Sequence, residues 1–266
     1  MQVSVAGTHI EYHDVGAGDP VILLHGSAPG ATALQAWSST LHAVAALGYR
    51  AIAPDIVGFG GSGRPADFSY NMPGWVASVE GFMSVLGLES AHIVGSSMGG
   101  RIALSLACLA PDRTRSLTLV GVRAPGDGLT TGLSVIREYE PSLSNMRRLV
   151  REFLVADPAL VTDEMIAARY ANSIEPGEHD HYRRMFARPG ANDVAVTEDD
   201  LRMLTVPTLI VQGLDDRIIP VTHAQRIAGL IPGAVAVTIG GCGHWPQIEK
   251  AEIFEGQLAV FLRRRS

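Results

Sequence analysis

The sequence is poor in cysteine, in positive charge and in long apolar runs. Only Cys108 and Cys242 are present, and their spacing supports neither a disulfide framework nor a set of metal ligands. Lys plus Arg is 21 against 27 for Asp plus Glu, a net charge of −6 that argues against nucleic acid or an anionic membrane as partner. No stretch of about 20 apolar residues exists to span a bilayer, and the polar start of the chain predicts no signal peptide. We therefore expect a soluble, cytoplasmic protein.

Apolar residues make up 47% of the chain and charged residues 18%, enough apolar material for a large core. Through the first 125 residues, short apolar runs alternate with segments of helical periodicity. This alternation predicts βαβ units, and hence an α/β fold with a mostly parallel sheet flanked by helices. After a strand pair within 3–15, the predicted strands are 21–24, 50–55, 91–94 and 116–120, and the predicted helices are 36–47, 75–88 and 101–109.

The pattern changes after the sixth predicted strand. Residues 124–195 are mostly helical in pattern and more charged, and several prolines, including Pro189 in Arg188-Pro189-Gly190, punctuate them. Strand patterns return at 207–211 and 234–239, and an amphipathic helix follows at 251–263. We therefore predict an α/β core formed by 1–123 and 196–266, with a helical cap at 124–195. Such a cap covers the carboxyl ends of parallel strands, where ligands bind in open α/β sheets.

A nucleophile elbow is the strongest chemical signal. Gly95-Ser96-Ser97-Met98-Gly99 has the G-x-S-x-G pattern and lies between a predicted strand and a predicted helix. Ser97 is the predicted nucleophile, and the backbone N–H of Met98 is placed to stabilise an oxyanion at the helix N-terminus. The loop after the first parallel strand should supply a second donor, for which the Ser27 N–H is the candidate.

A serine nucleophile needs a base, and the base needs an orienting acid. In this fold the acid and then the histidine follow the serine along the chain. Asp216 and His244 each follow a predicted strand in that order, which predicts the triad Ser97–Asp216–His244. Asp215 is the alternative acid.

Several stretches carry a resemblance along the whole chain to the α/β-hydrolase superfamily. Within it, the sequence is most similar to the meta-cleavage product hydrolases, and among these to the 2-hydroxymuconate semialdehyde hydrolases. Residues 25–33 resemble the HGSGPG-type oxyanion loop of that family, and 53–60 resemble its next loop. The Cys-Gly-His-Trp motif is found at 242–245, and 160–170 are similar to the cap helix that carries the family's substrate-binding arginine.

The resemblance implies a reaction and further site residues. It implies hydrolysis of a carbon–carbon bond in a vinylogous 1,5-diketone that ends in a carboxylate, with no metal or organic cofactor and with a homodimer as the assembly. Arg169 is then expected to bind the carboxylate, and Trp245 to form a wall of the pocket beside the base. Gly26 and Ser96 are the other expected substrate-binding residues.

The sequence departs from the family at two positions where an asparagine is usual, which here are Ala36 and Ser96. Gln35 or Ser96 could supply the missing polar group. The departures leave a carboxylesterase or lactonase with the same triad as an alternative, and a non-catalytic ligand receptor as a third possibility. His179-Asp180-His181 is expected to be a solvated turn rather than a metal site.

Overall fold

The computed structural model describes residues 1–187 and 196–264, in which eight strands form one sheet. The strand order is β1-β2-β4-β3-β5-β6-β7-β8. The pairs β1–β2 and β2–β4 are antiparallel. The other neighbouring pairs are parallel, so the sheet is mostly parallel, as the sequence predicts. The strands are β1 (Gln2–Val5), β2 (Thr8–Gly16), β3 (Pro20–Leu24), β4 (Arg50–Pro54), β5 (Ala91–Ser96), β6 (Thr114–Val120), β7 (Thr208–Gly213) and β8 (Val235–Ile239).

Helices cover both faces of this sheet. Because side chains alternate along a strand, Val21 and Leu23 of β3 face one helical layer while Ile22 and Leu24 face the other. The helices are α1 (Ala33–Ala46), α2 (Met72–Val85), α3 (Met98–Leu109), α4 (Thr131–Arg137), α5 (Leu143–Arg148), α6 (Asp163–Ser173), α7 (Glu178–Ala187), α8 (Glu198–Met203), α9 (Val221–Leu230), α10 (Pro246–Glu249) and α11 (Ala251–Arg263). None of the described helices is long and apolar enough to cross a membrane.

Two layers of core packing result. On one side, α1 and α11 meet through Trp37 and Phe254, whose ring centroids are 6.2 Å apart. On the other side, Trp75 of α2 and Ile102 of α3 are buried in a second cluster against the same sheet. Full coverage of both faces explains why the central strands are continuous apolar runs.

Three helices begin three residues earlier than predicted. α1 begins at Ala33 because the Thr32 side chain accepts the Gln35 N–H, and α2 begins at Met72 because Asn71 caps it in the same way. α3 begins immediately after Ser97. The spacing of apolar residues indicates only the buried face of a helix. It therefore does not detect a first turn that consists of polar capping residues and small residues. The prediction for 251–263 matches α11.

The chain leaves the sheet after β6 and returns at β7, whose residue Thr208 pairs with Leu117. The described part of the intervening segment, 121–187 and 196–207, contains helices α4 to α8 and no strand. A π-helical turn at Leu149–Leu154 directly follows α5. The predicted turn Arg188-Pro189-Gly190 and the predicted cap boundary at 195 lie outside the described residues.

Candidate active site

Ser97 lies in the sharp turn between β5 and α3. Its backbone has φ 54° and ψ −116°, a positive φ that is uncommon outside glycine and typical of strained functional positions. The turn packs tightly, since a β-carbon added at Gly99 would overlap the carbonyl oxygen of Leu24. Gly95 and Gly99, on either side of Ser97, thus allow α3 to begin directly above the end of β5. This turn raises the Ser97 side chain above the sheet.

His244 and Asp216 form a buried pair. The distance from His244 Nδ1 to Asp216 Oδ2 is 2.8 Å, and the other Asp216 oxygen accepts the N–H groups of Ile218 at 2.8 Å and Ile219 at 2.9 Å. With Nδ1–H donated to the carboxylate, Nε2 is left with its lone pair available to accept a proton. Asp215 is exposed, so the structure brings Asp216 rather than Asp215 to the histidine.

Gln212 holds the same carboxylate from β7. Its Nε2 donates to Asp216 Oδ2 at 2.7 Å and to the Ile219 carbonyl at 3.0 Å. The side chain is buried, and it fixes the orientation of Asp216 behind the histidine. Gln212 is not among the residues predicted from the sequence, although a glutamine in a largely apolar strand, four positions before Asp216, is a usable signal.

The loop after β3 lies against Ser97. A β-carbon at Gly26 would be 3.2 Å from Ser97 Cβ, and Ser27 beside it is buried. His25 anchors the loop: Nε2 accepts the Ile56 N–H at 3.0 Å, so Nδ1 carries the proton and donates to the Gly26 carbonyl at 2.7 Å. Burial lowers the pKa of His25. It therefore acts here as a neutral anchor.

Most of the predicted site residues line one cavity, which we call the catalytic cavity. Asp216 lies behind His244, and Met98 contributes through the first turn of α3, where N–H groups have no intrahelical acceptor. The free volume is about 30 Å³, room for about two water molecules. The predicted residues in its wall are Ser97, His244, Gly26, Ser27, Ser96, Arg169 and Trp245.

Arg169 brings a buried cation to this cavity from α6. It is 8% exposed, its Nη1 is 3.3 Å from Gln35 Oε1, and its Nη2 is 3.2 Å from the Ala28 carbonyl. Its Nε–H has no acceptor among the described residues, which also provide no carboxylate partner. Burial lowers the Arg169 pKa to about 10, which leaves the group charged at neutral pH. A desolvated cation with a spare donor is suited to bind an anion.

Amide and hydroxyl side chains line the same cavity as Arg169. Ala36 and Ser96, the two positions where the family usually has asparagine, both lie in the cavity wall. Gln35 is already engaged by Arg169. Gln247 of α10 also lines the cavity; it is 3% exposed, and its Oε1 has no hydrogen-bond partner in the described structure. Sequence reasoning missed Gln247, although it follows the Gly-His-Trp stretch by only two residues.

Glu249 joins the histidine loop to the segment between β6 and β7. Its Oε1 accepts the Gly243 N–H at 2.9 Å and its Oε2 accepts the Ala156 N–H at 2.7 Å. The backbone N–H of His244 donates to the Leu154 carbonyl at 2.9 Å. These contacts form a latch, defined by Glu249, Gly243, His244, Leu154 and Ala156. Burial raises the pKa of Glu249.

Other candidate sites are not assembled by the structure. Within residues 1–187 and 196–264, no group of three or more His, Cys, Asp or Glu side chains could hold a metal ion. His179 faces Glu140 at 3.3 Å, whereas the His181 ring packs edge-on to Tyr70 with centroids 5.0 Å apart. Cys108 and Cys242 are free thiols, and burial raises the pKa of Cys242 to about 12.

Comparison with known proteins agrees with this geometry. The Alpha/beta hydrolase family matches residues 21–256. A 2-hydroxymuconate semialdehyde hydrolase of Pseudomonas putida is 40% identical over 264 residues, which cover 98% of this chain and 93% of the relative. A 2-hydroxy-6-oxo-2,4-heptadienoate hydrolase, also of Pseudomonas putida, is 39% identical and covers 93% of this chain and 90% of its own length.

A solved structure is equally similar. The meta-cleavage product hydrolase of Pseudomonas fluorescens superimposes with a TM-score of 0.95 at 38% identity, covering 100% of this chain and 98% of the other. The chain therefore belongs to the alpha/beta hydrolase family and, within it, to the meta-cleavage product hydrolases. It is a hydrolase of a small-molecule substrate, and its relatives argue against the carboxylesterase, lactonase and receptor alternatives.

Proposed function

We propose that the protein hydrolyses a carbon–carbon bond in a meta-ring-fission product of the 2-hydroxy-6-oxohexa-2,4-dienoate type. The products are 2-hydroxypentadienoate and a carboxylic acid, in the catabolism of aromatic compounds. The observation that carries this proposal is Arg169, a buried cation that has no carboxylate partner among the described residues and that lies in the same cavity as Ser97 and His244. A neutral ester has no carboxylate for such a cation to bind.

Arg169 binds the substrate carboxylate, and the polar side chains around it hold the adjacent oxygen at carbon 2. The spare Nε–H and the Nη groups provide a fork that suits a carboxylate. Gln247 offers its unpartnered Oε1 to the enol hydroxyl. Ser96 at the end of β5 provides a further hydroxyl in the same wall. Ketonisation moves the enol proton to carbon 5 and prepares the chain for cleavage.

Ser97 then attacks the carbonyl at carbon 6. His244 Nε2 takes the Ser97 proton while Asp216 holds the imidazole through Nδ1. The backbone N–H groups of Ser27 and Met98 stabilise the alkoxide. Trp245 forms the part of the cavity wall next to His244.

Collapse of the alkoxide breaks the bond between carbons 5 and 6. The electron pair passes through the carbon 3–4 double bond to the oxygen at carbon 2, which forms a dienolate. The His244 imidazolium protonates this leaving group, and the acyl group stays on Ser97. Water then attacks the acyl ester with His244 as base, and the proton returns to Ser97 as the acid leaves.

The test follows the bleaching of 2-hydroxy-6-oxohexa-2,4-dienoate and its 6-methyl and 6-phenyl analogues beside hydrolysis of nitrophenyl acetate. Wild-type protein should bleach the dienolates, and Ser97→Ala should abolish this activity. Arg169→Met should lower kcat/KM for the diketones about 100-fold, because a charged hydrogen-bonding partner worth about 3 kcal/mol is lost. The rate with the ester should change by less than about threefold, since the ester has no carboxylate to bind.

Arg183→Met is the matched control, because Arg183 is an exposed arginine of α7 that pairs with Glu140. It should leave both activities unchanged. Equal losses on diketone and ester in Arg169→Met would contradict the carboxylate role. Rapid ester cleavage without any bleaching would contradict the carbon–carbon hydrolase assignment itself.

We also propose that the residues 124–195 act as a cap in a cytoplasmic homodimer that does not bind nucleic acid. The helices of the described part of this segment and the contribution of Arg169 to the cavity support the cap, and the net charge of −6 supports the absence of nucleic-acid binding. The dimer rests on the family resemblance. Light scattering should give twice the mass of the chain, and a monomer mass would refute the dimer.

A further inference from the structure

The catalytic cavity is too small for the proposed substrate as it stands. Its free volume of about 30 Å³ accommodates water but not a six-carbon dienoate. Side chains in its wall must therefore move before the substrate can bind. The side from which the substrate enters depends on the cavities that adjoin the catalytic cavity.

Two larger cavities adjoin the catalytic cavity. One has a free volume of about 250 Å³, and we call it the vestibule. It shares Gln35, Arg169, Trp245 and Ile248 with the catalytic cavity. Its outer wall includes Val150, Val161, Met165 and Ala168, from the π-helical turn, α6 and the residues just before α6.

The other neighbour has a free volume of about 270 Å³ and shares Ala31 and Thr32 with the catalytic cavity. Its wall is acidic, with four carboxylates against the single arginine Arg64, which is already paired with Glu178 at 2.7 Å. A substrate that carries a carboxylate is repelled from this opening. The carboxylates are Glu11, Asp55, Glu175 and Glu178.

The vestibule has the opposite character. None of the residues described in its lining is acidic, and most of its outer wall is aliphatic. Arg169 lies at its inner end, charged and with an Nε–H that has no acceptor in the described parts of the chain. An apolar passage that ends at a desolvated cation complements a molecule with an apolar chain and a carboxylate.

We propose that the vestibule is the route by which the anionic substrate reaches Ser97, and that Arg169 and Trp245 form its inner gate. This inference rests on the proposed function. Arg169 Cζ lies 5.0 Å from the Trp245 ring centroid, and Nη1 is held by Gln35 at 3.3 Å. The arriving carboxylate replaces the Gln35 carbonyl as the partner of Arg169. Trp245 then swings aside, and the vestibule and catalytic cavity become continuous.

Two neighbouring alanines of α6 provide the test. Ala168 lines the vestibule and Ala167 does not, and both are exposed residues of the same helix. Ala168→Trp fills the passage, whereas Ala167→Trp adds the same indole with the same cost in helix propensity. Turnover is measured with 2-hydroxy-6-oxohexa-2,4-dienoate, the diketone substrate. Binding is measured with sorbate, an unreactive hexa-2,4-dienoate. Stopped-flow tryptophan fluorescence follows the binding of sorbate.

Ala168→Trp should slow both association and dissociation of sorbate about tenfold, because an obstructed passage impedes both directions. The dissociation constant of sorbate should stay within about twofold, and kcat/KM for the diketone should fall about tenfold. Ala167→Trp should match the wild type. A changed dissociation constant with unchanged association rate would mean that the indole disturbs Arg169 instead, and would overturn the route.

The proposed route would also be overturned by any of three other results. These are unaltered sorbate kinetics in Ala168→Trp, an equal effect in Ala167→Trp, and no sorbate binding by the wild type. The sorbate measurements do not require turnover. A wild type that binds sorbate as expected but leaves the diketone intact would therefore refute the proposed function and not the vestibule.

Discussion

At the scale of single residues, Gln212 is the side chain whose loss isolates the positioning of Asp216. Gln212→Met removes the 2.7 Å hydrogen bond to Asp216 Oδ2 but keeps the volume in β7. We expect kcat to fall about tenfold, because a hydrogen bond to a charged group is worth about 1.5 kcal/mol or more, and KM to stay unchanged.

Gln225→Met is the control, since Gln225 is an exposed glutamine of α9. Steady-state kinetics on the diketone and on nitrophenyl acetate should show the same loss with both substrates, because the acid–base pair serves both. A KM effect confined to the diketone would instead place Gln212 in substrate binding.

The residues that sequence reasoning found and missed differ in a physical way. Ser97, Asp216 and His244, which lie in or beside one cavity, could be proposed from the sequence because a strict motif or the end of a strand marks each of them. Gln212 and Glu249 were missed because they act through contacts that folding makes, with the Asp216 carboxylate and the Ala156 N–H respectively. A one-dimensional pattern does not contain those contacts.

At the scale of elements, Gly30 sets the distance between the oxyanion loop and α6. Gly30 has φ +69°, and a β-carbon there would overlap the Arg169 carbonyl oxygen. Gly30→Ala should destabilise the protein by more than about 2 kcal/mol, because backbone strain of about 1 kcal/mol adds to a steric clash. The shift of α6 should also weaken diketone turnover.

Gly177→Ala is the matched control, with φ +79° and nothing within 4 Å of the added β-carbon. It should show the backbone strain alone, about 1 kcal/mol. Urea unfolding measures both variants. Equal losses of stability would mean that the contact with Arg169 has no energetic weight.

The latch between the histidine loop and the preceding helical segment makes the free energy of unfolding depend on pH. Burial raises the Glu249 pKa above its ordinary value of 4.5, so the folded protein holds this proton more tightly than the unfolded chain. The contribution of Glu249 to stability is therefore full below pH 4.5 and is lost as the pH rises through the raised pKa.

Glu249→Gln removes this titration and also replaces one acceptor of a backbone N–H, at a cost of about 1 to 3 kcal/mol. The stability advantage of the wild type over Glu249→Gln should be smaller at pH 7 than at pH 4.5. Urea titrations of both proteins across this range give the difference directly. An advantage that grows with pH would reverse the sign of the linkage.

At the scale of the whole molecule, the site joins parts of the chain that are distant in sequence, so ligand binding should stabilise the entire fold. Sorbate at about 100 times its dissociation constant should add about 2.7 kcal/mol to the free energy of unfolding. For a chain of this size that raises Tm by about 5 to 10 °C. At the same sorbate concentration, Arg169→Met should show a rise of only about 1 to 2 °C in thermal scans, because binding weakened about 100-fold adds only about 0.4 kcal/mol. A rise equal to that of the wild type would exclude Arg169 from dienoate binding.

The fold itself was accessible from the sequence because its parallel strands are apolar runs buried on both faces. Residues 21–24 and 91–94, predicted as strands, fall within β3 and β5, which pair in the sheet. The sequence did not reveal the small volume of the catalytic cavity or its two neighbours. Those depend on how the side chains of α6 and α10 meet across a gap, which small rotations of either helix change.

The latch has a consequence for how such enzymes diversify. Ser97 precedes the helical insertion, Asp216 and His244 follow it, and the sheet closes beneath it where Val120 pairs with Val211. The inserted segment is hydrogen-bonded to the histidine loop through the backbone groups of Leu154 and Ala156. Any sequence that keeps the local path of the chain supplies these groups. The side chains of the inserted segment, and with them the substrate preference, can therefore change while this backbone connection to the histidine loop is kept.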